Sequence, residues 1–358
     1  MLNIENKTDI WQDCYLGDMV TFQRGFDITQ KDQLMGKYPV ISSSGIGSYH
    51  SDFKVEGPGV VIGRKGTLGT VFYQKGNYWP HDTTLWVKDF HGNDPKFIFY
   101  FLKGFKFENY DVGTSNPTLN RNHIHLIPTK YPPLPEQRAI ASVLSSLDDK
   151  IDLLHRQNRT LEGMAEALFR QWFVLRQAQQ PEADEGWEEV AIGELFKISS
   201  GKGLKHEEFL ENGAYPVLGA NGTIGRTSNY NFNEKLLFTG RVGTLGNIFI
   251  VENEKVWLSD NTLVIVPNKY FYSVYFILKI AKLEELNVGS TQPLLRQSDV
   301  KDIQFNLPPE NILIGFERIT SDIFLKIQGN NSEIITLEKL RDTLLPKLMS
   351  GEVRVEVK

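Results

Sequence analysis

Apolar residues recur at alternating steps of three and four in two long stretches of the chain, a spacing typical of helices that pair through one face. The first stripe consists of Ile140, Leu144, Leu147, Ile151, Leu154, Asn158, Leu161, Ala165, Leu168 and Trp172. The second consists of Phe316, Ile323, Ile327, Asn330, Ile334, Leu337, Leu344 and Leu348. The pattern predicts long helices over residues 140–175 and 316–351, with Pro346 kinking the last turn of the second.

The two predicted helices are expected to form an antiparallel coiled coil with each other, the alternative being that each packs only on its own globular domain. An antiparallel register that sets Asn158 opposite Asn330 also sets Ile151 opposite Leu337. A polar pair in an apolar seam lowers stability but fixes the register. We therefore predict that Asn158 and Asn330 face each other.

The remainder of the chain has a different texture. Short β-branched runs bounded by glycine, such as residues 59–62 and 262–266, predict strands. The aromatic stretches 97–102 and 270–280 fit either a short buried helix or a buried strand. These patterns predict an α+β protein whose globular parts are mixed α/β structures around a curved sheet.

The sequence repeats itself at a shift of 176 to 178 residues. Gly63–Gly69 recurs as Gly240–Gly246, and Pro132-Pro133 recurs as Pro308-Pro309. A repeat of this length predicts two copies of one structural unit, related by a pseudo-two-fold axis. The predicted domains are a first head at 1–139, helix 1 at 140–175, a linker at 176–186, a second head at 187–315, helix 2 at 316–351 and a tail at 352–358.

Composition favours a soluble cytoplasmic protein without a cofactor of its own. The chain has 358 residues, 41% of them hydrophobic, and no apolar run long enough to span a bilayer. Its single cysteine, Cys14, excludes a disulfide framework and a cysteine-based zinc site. His123 and His125 have no carboxylate or cysteine close by in the sequence, so we predict no metal site. We also find no phosphate-binding loop and no catalytic constellation, which predicts a non-catalytic chain.

Two related heads held apart by a stiff rod would suit a DNA duplex with two half-sites on one face. The net charge of −5 argues mildly against nucleic acid, although a bulk count does not detect a local basic groove. Differences between equivalent positions would make the half-sites differ. These are Arg24 against Ser200, Ser43-Ser44 against Ala220-Asn221, Lys65 against Val242, and Asn120-Arg121 against Arg296-Gln297.

The chain resembles the specificity subunit of type I restriction-modification systems. The resemblance is carried by residues 134–140 (LPEQRAI) leading into 147–151 (LDDKI), and by the tail at 344–351 (LLPKLMSG). It implies that each head is a target-recognition domain for one half of a bipartite, asymmetric site in double-stranded DNA. It also implies that the helices set the spacer and dock two modification subunits, which use S-adenosylmethionine to methylate adenine, and that restriction subunits using ATP and Mg join the assembly.

Candidate site residues follow from the repeat and the resemblance together. Arg64 and Arg241 occupy the same place in both heads, so we expect them to position phosphates rather than read bases. The predicted DNA-binding set is Arg24, Ser43, Ser44, Arg64, Lys65, Asn120, Arg121, His123, Lys202, Asn221, Arg241, Arg296 and Gln297. Apolar residues near the helix ends are expected to contact partner subunits: Phe169, Trp172, Phe173, Leu345 and Met349.

The second junction departs from the family pattern. It reads Pro308-Pro309-Glu310-Asn311-Ile312 and lacks the equivalents of Gln137 and Arg138, so a partner contact made by those two residues would be one-sided. Two other functions remain open at this point. One is a free-standing bipartite DNA-binding regulator, and the other is a scaffold or adaptor with two β-rich heads and no DNA role.

Overall fold

The computed structural model describes residues 2–3, 11–111, 117–175, 186–288 and 293–355. Contacts divide the chain into two compact units, Met1–His155 with Asn331–Lys358, and Arg156–Asn330. The predicted linker at 176–186 lies outside the described residues except for its last residue, and so do residues 356–358 of the predicted tail.

Short strands build the first head, and one long helix follows it. The strands are β1 (Leu2–Asn3), β2 (Gln12–Tyr15), β3 (Thr21–Arg24), β4 (Tyr38–Ser42), β5 (Gly45–His50), β6 (Gly59–Gly63), β7 (Val71–Gln74), β8 (Trp79–Pro80), β9 (Thr84–Asp89) and β10 (Pro128–Tyr131). The helices are α1 (Leu16–Met19), α2 (Pro95–Lys103), α3 (Arg121–His125) and α4 (Leu134–Phe169). A four-stranded sheet has the order β3-β9-β6-β7, a three-stranded sheet has the order β5-β4-β8, and β10 pairs with β2.

The second head repeats this arrangement. Its strands are β11 (Glu188–Ala191), β12 (Phe196–Ser200), β13 (Tyr215–Gly219), β14 (Gly222–Thr227), β15 (Leu236–Gly240), β16 (Ile248–Val251), β17 (Trp257–Leu258), β18 (Thr262–Pro267) and β19 (Gln304–Leu307), and β20 (Arg354–Val355) follows near the end of the chain. Its helices are α5 (Phe271–Ile280) and α6 (Gln297–Lys301), followed by the long α7 (Glu310–Ser350). The sheet orders β12-β18-β15-β16, β14-β13-β17 and β11-β19 match those of the first head strand for strand. The predicted internal repeat is confirmed.

Both ambiguous aromatic stretches are helices. In the first head, the Asp94 side chain accepts hydrogen bonds from the backbone N–H groups of Lys96 and Phe97, and Pro95 occupies the first turn, where its missing N–H costs nothing. Phe97 and Ile98 are fully buried in the core of the first unit.

The two long helices begin earlier than the heptad stripes predicted. Helix α4 starts at Leu134 rather than residue 140, and α7 starts at Glu310 rather than residue 316. The first turn of α4 carries the buried polar residues Glu136 and Gln137, so the apolar period does not report it. The first turn of α7 carries the buried Leu313, which extends the apolar spacing that the prediction began at Phe316. Helix α7 continues through Pro346 to Ser350. No helix in the described ranges is long and apolar enough to cross a membrane.

The helices pair antiparallel within each unit, in the predicted register. In the first unit, Ile151, Leu154, Ile334 and Leu337 form one apolar cluster. In the second unit, the Asn330 Nδ2 donates a hydrogen bond of 2.8 Å to the Asn158 Oδ1. Asn330 is fully buried and Asn158 nearly so. The facing asparagines are therefore present as the sequence predicted.

Candidate nucleic-acid interface

A glycine-rich loop at the end of β6 presents two cationic residues in the first head. A Cβ on Gly63 would lie 2.2 Å from the carbonyl oxygen of Thr67, so only glycine allows the loop to close this tightly. The backbone N–H groups of Arg64 and Lys65 both donate to the carbonyl oxygen of Thr83, at 2.9 and 3.1 Å. The loop is thus tied to the start of β9, with Lys65 exposed and Arg64 half-buried.

Asp82 accepts hydrogen bonds from two arginine side chains of the first head, Arg24 and Arg64. Its carboxylate accepts a hydrogen bond of 2.7 Å from Nη2 of Arg24, whose side chain is 55% exposed. Its backbone carbonyl accepts from Nη1 of Arg64 at 3.3 Å. Burial lowers the pKa of the Arg64 guanidinium, and the nearby positive charge of Arg24 lowers it further. Two guanidinium groups therefore share one acidic residue, and the Arg24 side chain stays open to solvent.

Two serines in the turn between β4 and β5 were predicted to contact DNA, and only one of them is exposed. Ser43 is 9% exposed, its N–H faces the hydroxyl of Thr83, and its carbonyl accepts a 2.6 Å hydrogen bond from the hydroxyl of Thr70. The expectation that the Ser43 hydroxyl contacts DNA is therefore corrected, because this residue is buried and holds the glycine-rich loop. Ser44 is exposed on the same turn and remains a candidate.

Some polar residues of α3 and its N-cap form hydrogen bonds within the head, and others are exposed on its surface. The Asn120 side chain accepts a hydrogen bond of 3.0 Å from the N–H of Asn122, which caps the helix. Arg121 and His123 are exposed. His125 is half-buried and its Nε2 accepts from the backbone N–H of Phe22 at 2.9 Å. Arg121 and His123 are therefore the residues of this segment that are open to a ligand.

The described residues contain one group with potential metal-ligating atoms within 4.8 Å of one another, namely Asp27, His81 and Asp82. The prediction rested on His123 and His125, which do not belong to it. The Asp82 carboxylate is already neutralised by Arg24 at 2.7 Å and lies 3.1 Å from Nδ1 of His81. A guanidinium in that place competes directly with a cation, so the group carries no metal assignment.

The second head holds its equivalent loop with the same backbone bonds. A Cβ on Gly240 would lie 1.9 Å from the carbonyl oxygen of Thr244. The N–H of Arg241 donates to the carbonyl oxygen of Asn261 at 2.8 Å, and its own carbonyl accepts from the N–H of Leu295 at 2.9 Å. Arg241 is half-buried, as Arg64 is in the first head.

A hydroxyl stands in the second head where the first has the guanidinium of Arg24. Ser200 ends β12, as Arg24 ends β3, and its hydroxyl accepts a hydrogen bond of 3.1 Å from Nε2 of Gln297. Asn221 is exposed and its Oδ1 accepts from Nδ2 of Asn247 at 3.2 Å. At these positions the second head therefore offers neutral donors and acceptors.

Two further predicted residues of the second head lie on its surface. Arg296 occupies the N-cap position of α6 without a side-chain cap and is exposed. Lys202 is also exposed, and its carbonyl accepts from Nε1 of Trp257 at 2.9 Å.

Sequence reasoning did not select two residues that shape these surfaces. Asp82 belongs to a repeated segment but was not recognised as the partner of Arg24. Ser200 was noted only as the counterpart of Arg24, not as the partner of Gln297. The repeat carries a clue for Ser200, which stands where the first head has a cation, but not for Asp82, which is matched by Asp260 in the second head.

Comparison with known proteins decides the family. The model of the type I restriction modification DNA specificity domain matches residues 9–163 and again 184–337. The chain belongs to the type I restriction modification DNA specificity domain family.

Similar proteins carry the same description. The MjaIX specificity subunit of a type I restriction enzyme from Methanocaldococcus jannaschii is 28% identical over 73% of this chain and 69% of that protein. The MjaVIII specificity subunit of the same organism is 23% identical over 97% of this chain and 93% of that protein. The fold matches that of the S subunit of a type I restriction-modification system from M. genitalium, with a TM-score of 0.68, 21% identity, and coverage of 96% of this chain and 97% of that one.

In this specificity-domain protein, two of the predicted partner contacts are internal. Phe169 and Phe173 are 0% and 1% exposed, and their rings pack on Phe276 and Phe316 within the second unit. The expectation that they contact a partner subunit is corrected. A π-helical turn at Arg170–Leu175 follows α4, and the residues it buries differ from the predicted stripe positions Leu168 and Trp172.

The remaining predicted partner contacts are only partly buried. Trp172 lies at the edge of the second core, and Leu345 and Met349 line an open pocket with Phe101 and Phe105 in the first unit. These three residues stay predictions. At the first junction, Gln137 is 1% exposed and bonded within its own unit, whereas Arg138 is exposed, so a one-sided partner contact there would have to be made by Arg138.

Proposed function

We propose that this chain is the DNA sequence-recognition subunit of a type I restriction-modification complex, in which each head reads one half of a bipartite, asymmetric site. The main support for the proposal is that the two heads share one backbone arrangement but carry different side chains at an equivalent surface position. The loop backbone is held alike in both heads, while Arg24, which pairs with Asp82, is replaced by Ser200, whose hydroxyl accepts a hydrogen bond from Gln297. Identical frames with different surface donors suit two different base sequences.

The proposed role of the long helices is to set the unread spacer between the half-sites. Helices of 36 and 41 residues that pair in a register fixed by Asn158 and Asn330 support this role. A buried polar pair disfavours slipped registers, and a slipped register would change the spacing that the helices set.

Catalysis in this proposal belongs to partner subunits. Specificity subunits of this family contribute recognition rather than chemistry. Two modification subunits would bind S-adenosylmethionine and methylate adenine N6, and restriction subunits would use ATP and Mg. The chain itself holds no cofactor, and it acts in the cytoplasm as part of that assembly. Its net charge of −5 fits partners that supply much of the phosphate contact.

The test uses the full chain assembled with its modification subunits. Methylated adenines are mapped across the genome of a host that expresses the complex. We expect a bipartite motif with two different halves and a fixed gap. Exchange of the first head for that of another family member should change one half of the motif and leave the other half and the gap unchanged.

Two results would contradict the proposal. The first is methylation at a continuous motif or at none, and the second is a head exchange that alters both halves together. A free-standing regulator would differ by binding the bipartite site tightly and with strong salt dependence in the absence of any partner.

A further inference from the structure

Arg24 and Ser200 occupy the same structural position in the two heads. Arg24 pairs with Leu85 across β3 and β9, and Ser200 pairs with Leu263 across β12 and β18. Each is the last residue of its strand, beside the glycine-rich loop that both heads hold through the same backbone bonds. A difference at this position therefore changes the surface chemistry without changing the frame.

The ion pair with Asp82 holds the Arg24 guanidinium in a defined direction. One carboxylate oxygen takes one N–H of Nη2 at 2.7 Å, and a guanidinium has five N–H donors in a fixed planar fork. The Arg24 side chain stays 55% exposed, so the rest of the fork can reach a ligand. An arginine held in this way loses less conformational freedom on binding, and its fork matches the O6 and N7 acceptors of guanine.

The Ser200 hydroxyl orients the amide of Gln297 in a comparable way. One N–H of Nε2 donates to the Ser200 oxygen at 3.1 Å, which leaves the second N–H and the amide oxygen for a ligand. A donor and an acceptor side by side match the N7 and N6 edge of adenine in the major groove. Gln297 is half-buried, which limits the directions its amide can take.

We propose that these two pairs make the half-sites different, Arg24 held by Asp82 reading a guanine in the first half-site and Gln297 held by Ser200 reading an adenine in the second. Asp82 and Ser200 are positioning residues that act through the side chains they hold. The inference rests on the proposed function, because it assigns bases within the bipartite site.

The test is a selection of binding sites from a random-sequence duplex library by the complex of the full chain with its modification subunits. Asp82→Asn removes the charge that holds Arg24, and Arg24→Lys keeps the positive charge but removes the fork. For both variants we expect the preference for guanine at one position of the first half-site to fall at least tenfold, with the second half-site unchanged. Gln297→Ala should relax one adenine position of the second half-site and leave the first intact.

Matched controls separate reading from general effects. Glu56→Gln, an exposed carboxyl in the first head, and Gln304→Ala, an exposed glutamine in the second, should leave both half-sites as in the wild type. Arg24 is exposed, so Arg24→Lys tests the inference even if Asp82→Asn fails to fold.

The outcomes distinguish this inference from the function on which it rests. A wild-type complex that selects no bipartite site overturns both. A wild-type complex that selects one, while Arg24→Lys and Gln297→Ala keep every base preference and lose only overall affinity, overturns the assignment of readers and leaves the proposed function standing.

Discussion

The two heads share a backbone frame but fill equivalent places with different side chains. In both, the arginine of the glycine-rich loop donates its N–H to a carbonyl at the start of the neighbouring strand, Thr83 in one head and Asn261 in the other. Beside that frame, an exposed guanidinium is replaced by a hydroxyl–amide pair at Ser200 and Gln297. Because main-chain bonds carry the frame, the recognition surface can change without refolding the head.

A second difference lies where each head meets its long helix. In the first unit, the Gln137 Nε2 donates to Oδ1 of Asn93 at 2.7 Å and to the carbonyl of Pro132 at 2.9 Å, and its Oε1 accepts from the N–H of Asp94 at 3.0 Å. Leu313 takes the equivalent place in the second unit and lines an apolar cavity of about 270 Å³. Hydrogen bonds therefore hold the first junction together, whereas apolar side chains that surround a cavity form the second.

The shared frame gives the largest expected effect. Gly63→Ala and Gly240→Ala each place a methyl group against backbone carbonyl oxygens, at 2.2 and 1.9 Å, so each should cost about 3 kcal/mol of unfolding free energy. Each variant should also abolish recognition of its own half-site. Urea denaturation and binding-site selection measure the two effects.

Gly163 supplies the control for these glycine variants. A Cβ at this helical position meets nothing within 4 Å, so Gly163→Ala should stabilise the chain by about 0.5–1 kcal/mol. Equal stability changes for Gly63→Ala and Gly163→Ala would show that the loop does not need its close approach.

Exchanging the two junction residues tests the second difference. Gln137→Leu leaves half-buried groups of Asn93 and Asp94 without their partner and should cost about 1–3 kcal/mol. Leu313→Gln places an amide at a site that is 3% exposed and apolar and should cost about 1–3 kcal/mol. Urea denaturation of both variants measures the costs. If either exchange is neutral, the two junctions are chemically interchangeable and the contrast drawn between them is wrong.

The asparagine pair belongs to the seam that the two helices share. Asn330→Leu leaves the buried Asn158 amide without the 2.8 Å partner seen here and should destabilise the chain by about 1–3 kcal/mol. The double variant Asn158→Leu with Asn330→Leu should recover that loss or exceed the wild type, since a packed apolar pair carries no desolvation cost. Chemical denaturation compares the three proteins, and a double variant as unstable as the single one would refute the pairing.

The sequence was sufficient to predict the features that depend on periodicity or on self-similarity. The repeat, the two long helices and the Asn158–Asn330 register are readable because helical spacing and a duplicated sequence are properties of the chain itself. The start of α4 was missed because its first turn carries the polar Glu136 and Gln137, and the motif at residues 134–140 was assigned to the head instead. The start of α7 was missed although Leu313, which is 3% exposed, continues the apolar spacing before Phe316.

Features that depend on distant contacts were not predictable in the same way. Asp82 holds Arg24 from 58 positions away, and Ser200 holds Gln297 from 97 positions away, so no local spacing marks either pair. The burial of Phe169 and Phe173 depends on the second core and on the π-helical turn, which shifts the buried face from the heptad positions.

The smallest predicted effect concerns how each head caps its aromatic helix. Helix α2 is capped by Asp94 from its own N-terminus, whereas α5 is capped from α7, because the Glu317 carboxylate accepts from the N–H groups of Tyr272 and Ser273 at 3.0 and 3.2 Å. Burial raises the pKa of Glu317 above its ordinary value of 4.5, and these backbone hydrogen bonds offset only part of that rise.

The sign of the resulting pH dependence follows from proton linkage. The folded chain holds the Glu317 proton more tightly than the unfolded chain, so the stability this group contributes is full below about pH 4.5 and is lost as the pH rises through the raised pKa. Glu317→Gln does not titrate. The unfolding free energy of the wild type minus that of Glu317→Gln, measured by urea denaturation, should therefore fall as the pH is raised from 4 towards 7. The control Glu56→Gln alters an exposed carboxyl, and its difference from the wild type should stay nearly flat over the same range. If the difference for Glu317→Gln instead rises with pH, the charged carboxylate stabilises the N-terminus of α5 more than its burial destabilises it. The predicted contrast between the caps of the two heads would then be wrong.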